Sequence, residues 1–228
     1  MKKWELVRFI TTMPVDEAWT IWLLIAVQYF TAGSLVKSFI ASSAFFFFFL
    51  SPFMLTILSA FQIRISKALS LLYLIGAIGM LFIAFGNSLE LFLIGVGLSA
   101  IFPACSPPLI ATLWQQNSPS HSIGLSYSKM FLLGLTSKVI TGVFISFLLG
   151  DNISGFRLIP IIYFLFYLAA SFSAYKIPSN KLVKTSINPL NRLSLVWKDK
   201  TFGIILLSWM LLGISNLSTF PLRTDYIA

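Results

Sequence analysis

Long apolar runs separated by short polar breaks dominate the chain. Seven of them approach the length of about 20 residues that a helix needs to cross a hydrocarbon core of about 30 Å. They are expected over 19–36, 44–63, 68–85, 90–114, 122–149, 158–175 and 201–222. In lipid every backbone amide must be satisfied within the segment, and no run alternates with the period of two that a barrel requires, so the class is all-α. The second run opens with Phe45 to Phe49, bulk apolar surface without periodicity. Pro52, Pro103, Pro107, Pro108 and Pro160 fall inside runs, where they are expected to kink helices. Before the first run, Trp4, Leu6, Val7, Phe9 and Ile10 alternate with Lys2, Lys3, Glu5 and Arg8. That mixture predicts a short amphipathic helix lying on the membrane surface over residues 1–18.

Composition agrees with a membrane location. Of the 228 residues 57% are hydrophobic and 10% charged, against about 25% charged in soluble domains. The net charge of +9 is not gathered into a basic domain, so no nucleic-acid partner is expected. Lysines and arginines stand mainly at the ends of the runs. With the amino terminus inside, eleven of them fall on the inner side and three, Lys37, Arg157 and Arg223, on the outer. This bias predicts a multi-pass protein of the cell (inner) membrane with a cytoplasmic amino terminus. The only cysteine, Cys105, excludes an intrachain disulfide, and no cleavable leader is expected from "MKKWELVRFITTMP". The basic stretch 176–200 reads as a cytoplasmic linker between a six-helix bundle, 19–175, and a seventh helix, 201–228.

Six helices with both ends inside, a basic linker and another helix resemble the amino-terminal half of a major facilitator superfamily (MFS) transporter, including its seventh helix. The fourth run, "FLIGVGLSAIFPACSPPLIATLW", is similar to that family's fourth helix in Gly95, Gly97 and Pro103. The seventh resembles seventh helices of some members in Gly213, Asn216, Pro221 and Arg223. The resemblance implies a bundle of 3+3 inverted repeats, here 19–85 and 90–175, and a second bundle not contained in this chain. The chain is therefore expected to be truncated, a fragment or a split product, partnered by a missing carboxyl-terminal half or by a second copy. The family's gating loop after the second helix, G-x-x-x-D-R-x-G-R-R/K, maps onto "LSAFQIRISK" with departures. Gln62 stands where the aspartate would be and Ile65 where the second glycine would be, while Arg64 and Lys67 keep its basic character.

Lys138 in "GLTSKVITG" is the candidate binding residue. Nine residues past Lys129, it lies about 13 Å deeper in the helix, near the midplane. A central lysine costs roughly 2.5–3.5 kcal/mol and usually faces a bundle interior or a watery cavity. At 100° per residue Gly134, Ser137, Lys138, Thr141, Gly142 and Ser146 share one side, with Tyr127 below. The stripe has two readings, a packing face for another helix and a cavity wall on which Lys138 meets an anionic or carboxylate-bearing solute. Gln28, Tyr29 and Asn216 are the expected companions at similar depth. No metal or other cofactor is expected, and His121 reads as a loop residue. The function expected is a secondary active transporter of a small solute working by alternating access, and not an enzyme. Two other readings stay open: an inactive half-transporter remnant acting as a membrane scaffold, and an integral-membrane enzyme.

Overall fold

A computed structural model describes residues 2–118, 123–149, 153–183 and 198–227, and these are helical apart from short turns. The helices are α1 (Lys2–Thr12), α2 (Ala18–Gln28), α3 (Ser34–Ala60), α4 (Ile65–Phe85), α5 (Leu89–Asn117), α6 (Ile123–Leu149), α7 (Leu158–Tyr175) and α8 (Lys200–Ile227). Single 3₁₀ turns, Met13–Glu17 and Ile153–Arg157, precede α2 and α7. Among the described residues five helical stretches are long and apolar enough to cross a membrane: Lys3–Gln28, Ile65–Phe85, Leu89–Asn117, Gly124–Leu148 and Gly155–Tyr175. In α3 and α8 the described side chains give shorter apolar stretches, Leu50–Ala60 and Lys200–Gly213. Seven runs were expected, and each has a helix, five of which meet the criterion among the described residues.

The largest difference from the sequence expectation concerns the first helix. The expected short helix is present as Lys2–Thr12, but it is packed into the bundle rather than set apart from it. Lys2–Thr12 continues through the 3₁₀ turn at Met13–Glu17 into Ala18–Gln28, and the three together make one membrane-length element. Pro14 sits at the start of the turn, where its missing N–H costs least. Glu5, Arg8, Phe9 and Thr12 are buried against α4, α6 and α7 rather than facing water. The end moves as well. Instead of a first helix over 19–36, the chain turns after Gln28, with Thr31 at φ 47°, and α3 begins at Ser34.

Close approach of α4 to α5 makes the centre of the bundle. A β-carbon added at Gly95 would stand 2.7 Å from the Gly79 carbonyl oxygen and 2.9 Å from the Ile83 nitrogen. Glycines at both positions let the two backbones touch, the small-residue contact that membrane helices use in place of a hydrophobic drive. On its other side α4 packs on α7. There Ser70 and Ser171 hydroxyls lie 2.8 Å apart and Tyr167 leans over Gly76. Trp22, Leu23 and Ile25 of α2 complete the core with Tyr73, Phe92, Phe156 and Tyr163. Outward faces stay apolar and exposed, as in Phe46 and Phe48 of α3 and Leu132, Ile140 and Phe147 of α6. α8 lies against α2 and α3.

The prolines expected to kink helices all lie inside helices. α3 runs through Pro52, and α5 through Pro103, Pro107 and Pro108. α7 contains Pro160 in its first turn.

Candidate solute cavity between the first membrane helix and α5

A cavity of about 620 Å³ lies between the first membrane helix and the proline-bearing face of α5. α1 and its 3₁₀ turn supply Arg8, Phe9, Thr12, Met13 and Asp16, positions that recur at helical spacing along one face. α5 supplies Phe102, Pro103, Ser106, Pro107, Ile110, Ala111, Trp114 and Gln115, again one face, and α6 closes the end with Tyr127. Each proline of α5 lacks the N–H that would close a bond to the carbonyl four residues back.

Arg8 is the chemical centre of this wall. Its Nε donates to Glu5 Oε2 at 2.9 Å and its Nη1 to the Tyr73 hydroxyl at 3.1 Å. The side chains of Arg8 and Glu5 are 3% and 2% exposed, so this is a buried ion pair within one turn of helix. Tyr73 is held in turn by Phe102, stacked at 4.1 Å between ring centroids. Arg8 also lies over the Phe9 ring at 4.8 Å. Arg8 Nη2 keeps no hydrogen-bond partner, and the same holds for Trp114 Nε1 and, away from the cavity in the core, Trp22 Nε1. Around Trp114 three rings meet edge to face: Phe9–Trp114 at 5.9 Å, Trp114–Tyr127 at 5.4 Å and Phe9–Tyr127 at 5.8 Å.

The expected binding residues are dispersed. Lys138 is half-buried on α6 and is not among the residues lining the cavity. Its stripe faces the first helix. A β-carbon at Gly134 would stand 2.6 Å from Met13 Cγ and 3.3 Å from the Phe9 carbonyl oxygen, and Ser137 Oγ donates to the Ile10 carbonyl at 2.8 Å. Thr141 and Ile145 are buried further along, whereas Gly142 and Ser146 are exposed. The Gly134 and Ser137 part of the stripe packs on the first helix, whereas a β-carbon at Gly142 would meet nothing within 4 Å. Gln28 closes α2 and Tyr29 follows it in the turn, 40% exposed with its ring against Phe156. Both sit at the end of the bundle, not at mid-depth, because the first helix begins at Lys2. Asn216 and His121 lie outside the residues whose side chains are described.

The three loop residues come together at the opposite end. Gln62 follows α3 with φ 48°, Arg64 caps α4, and all three side chains are exposed. Their loop pairs with the segment after α7. The Leu182 N–H donates to the Ile63 carbonyl at 2.9 Å, the Ile65 N–H donates to the Asn180 carbonyl at 3.1 Å, and Arg64 bridges antiparallel to Lys181. Asn117 at the end of α5 donates to the Pro178 carbonyl at 2.9 Å. Lys67 Nζ lies 5.8 Å from the Tyr175 ring.

Sequence reasoning missed Arg8, Asp16, Ser106, Trp114 and Tyr127 as one group. Two signals pointed to it: Glu5 and Arg8 at i and i+3 on one face, and Pro103, Pro107 and Trp114 on one face of α5. No family model, curated protein or solved structure matches this chain.

Proposed function

We propose that the protein is a membrane transporter of the major facilitator type, in which the cavity between the first membrane helix and α5 takes a small solute. The reading rests on one observation: a cavity of about 620 Å³, within the range of small-molecule sites, reaches a buried guanidinium that keeps an unpaired donor. Intramembrane ionisable residues that face a cavity mark substrate paths. The six-span unit works by rocking against a second bundle, supplied by further sequence or by a second copy, and the pairing of loop 61–64 with segment 177–183 keeps the six-span unit moving as one body. Its place is the cell membrane, with the amino terminus cytoplasmic, on the bias of basic residues.

Labelling of one cavity position from both faces of the membrane tests this without knowledge of the solute. In a Cys105→Ser background, Ala111→Cys puts a thiol on the exposed cavity face of α5. Alternating access makes that thiol react with an impermeant maleimide in right-side-out and in inverted vesicles alike, whereas Lys181→Cys reacts in inverted vesicles only. Reaction of Ala111→Cys from a single face would leave a scaffold, not a transporter.

A further inference from the structure

Arg8 and Asp16 are the charged residues that line the cavity, and no lysine does so among the described residues. The Arg8 charge is already met by Glu5 at 2.9 Å. Counted together, Glu5, Arg8 and Asp16 leave the cavity with no surplus positive charge to hold an anionic solute. Lys138, on which an anion was expected to bind, stands on the α6 face that packs on the first helix. At the same time two buried donors, Arg8 Nη2 and Trp114 Nε1, belong to residues that line this one cavity and have no acceptor. Buried N–H groups are almost always paired, and an acceptor from outside the chain would pair these.

Resting on the cavity as the solute site, we infer that it takes an uncharged organic solute with an aromatic or otherwise apolar body and one hydrogen-bond acceptor of the carbonyl class. The carbonyl accepts from Arg8 Nη2 or from Trp114 Nε1, whichever side chain turns its buried donor into the cavity. The body lies against the trio of Phe9, Trp114 and Tyr127, continued along α5 by Pro107 and Ile110 on the face they share with Trp114. Aromatic pairs favour edge-to-face and offset contacts, which three rings already arranged edge to face can offer to a fourth. A neutral carbonyl leaves the Glu5–Arg8 pair intact. A carboxylate would compete with Glu5 for the same guanidinium.

Binding to the purified full chain in lipid nanodiscs tests the inference with three probes of similar size: N-benzylacetamide, 3-phenylpropionate and 3-phenylpropylammonium. The amide binds tightest. Trp114→Phe, which keeps the ring and removes the N–H, weakens the amide about fivefold, the worth of one hydrogen bond, and leaves the ammonium probe unchanged. Should that variant fail to fold, the paired change Glu5→Gln with Arg8→Met removes the other donor without stranding a charge, and it lowers amide affinity by at least the same factor. Tightest binding of either charged probe, phenylpropionate or phenylpropylammonium, overturns the inference, as does an equal loss of amide and ammonium binding in Trp114→Phe, or no saturable binding of the amide. The transport reading is judged separately. Two-sided labelling of Ala111→Cys with the anion preferred overturns the solute class alone, and one-sided labelling with the amide preferred overturns transport alone.

Discussion

Neutralising Glu5 and Arg8 singly and together tests whether the first helix is inside the bundle, because the pair has very different worth in the two places. On a membrane surface, as residues 1–18 read from sequence, an exposed ion pair contributes about 0–1 kcal/mol and either change is nearly silent. In the structure both side chains are almost wholly buried, 3% and 2% exposed. Removing one partner of a buried pair strands the other charge and costs about 3–5 kcal/mol. Glu5→Gln sits at the low end, about 3 kcal/mol, since the amide still accepts from Nε and the bond to Tyr73 remains. Arg8→Met strands the Glu5 carboxylate and frees the Tyr73 hydroxyl, and it costs at least as much. The double variant leaves no buried charge, and its cost falls to about 1 kcal/mol. Unfolding of the four proteins by a denaturing detergent in mixed micelles gives the cycle directly. The expected signature is a double variant more stable than either single one. Two silent single variants, or single costs that simply add, would refute the buried pair and return residues 1–18 to the membrane surface.

Two further predictions concern the frame around the site. Gly95→Ala drives a methyl group into the Gly79 carbonyl and the Ile83 nitrogen, so α4 and α5 separate at a net cost of about 1–3 kcal/mol despite the better helix propensity of alanine. Gly79→Ala at the same crossing adds little once the gap has opened, and the same unfolding cycle reads both. Gln62→Gly relieves the left-handed backbone at φ 48° after α3 and raises stability by about 0.5–1 kcal/mol; an unchanged or lower unfolding midpoint would show that the loop does not hold that conformation.

Long uninterrupted apolar runs were the legible part of the fold. α4, α5, α6 and α7 lie within three residues of where hydropathy put them, because between polar breaks little competes with an all-apolar helix. The first two helices were displaced for a physical reason. Glu5, Arg8 and Asp16 lower the hydropathy of the first helix, so the apolar window slid forward across the turn at 29–33. Hydropathy counts a glutamate and an arginine as two penalties. At i and i+3 they form one neutral, bonded pair, and the cost of burying it is far below the sum of the two. Gly33 carried the break, but a lone glycine in an apolar run does not announce one. In α5 the prolines expected to kink the helix stand inside it, two of them, Pro103 and Pro107, on the face that lines the cavity.

Lys138 shows how the candidate site escaped a reading based on charge alone. An isolated lysine in an apolar run is conspicuous, and the argument that it must face something polar is sound. What it could not supply is the partner element, since the first helix had been placed on the surface. With that helix in the bundle, the small residues around Lys138 acquire a positioning role. Gly134 admits Met13 and the Phe9 carbonyl, and Ser137 fixes the Ile10 carbonyl. These contacts hold the register of α1 against α6. One residue either way would turn Arg8 and Phe9 about 100° from the wall they share with Trp114 and Tyr127. The Gly134 and Ser137 part of the stripe thereby sets the rotation of the helix that bears the guanidinium.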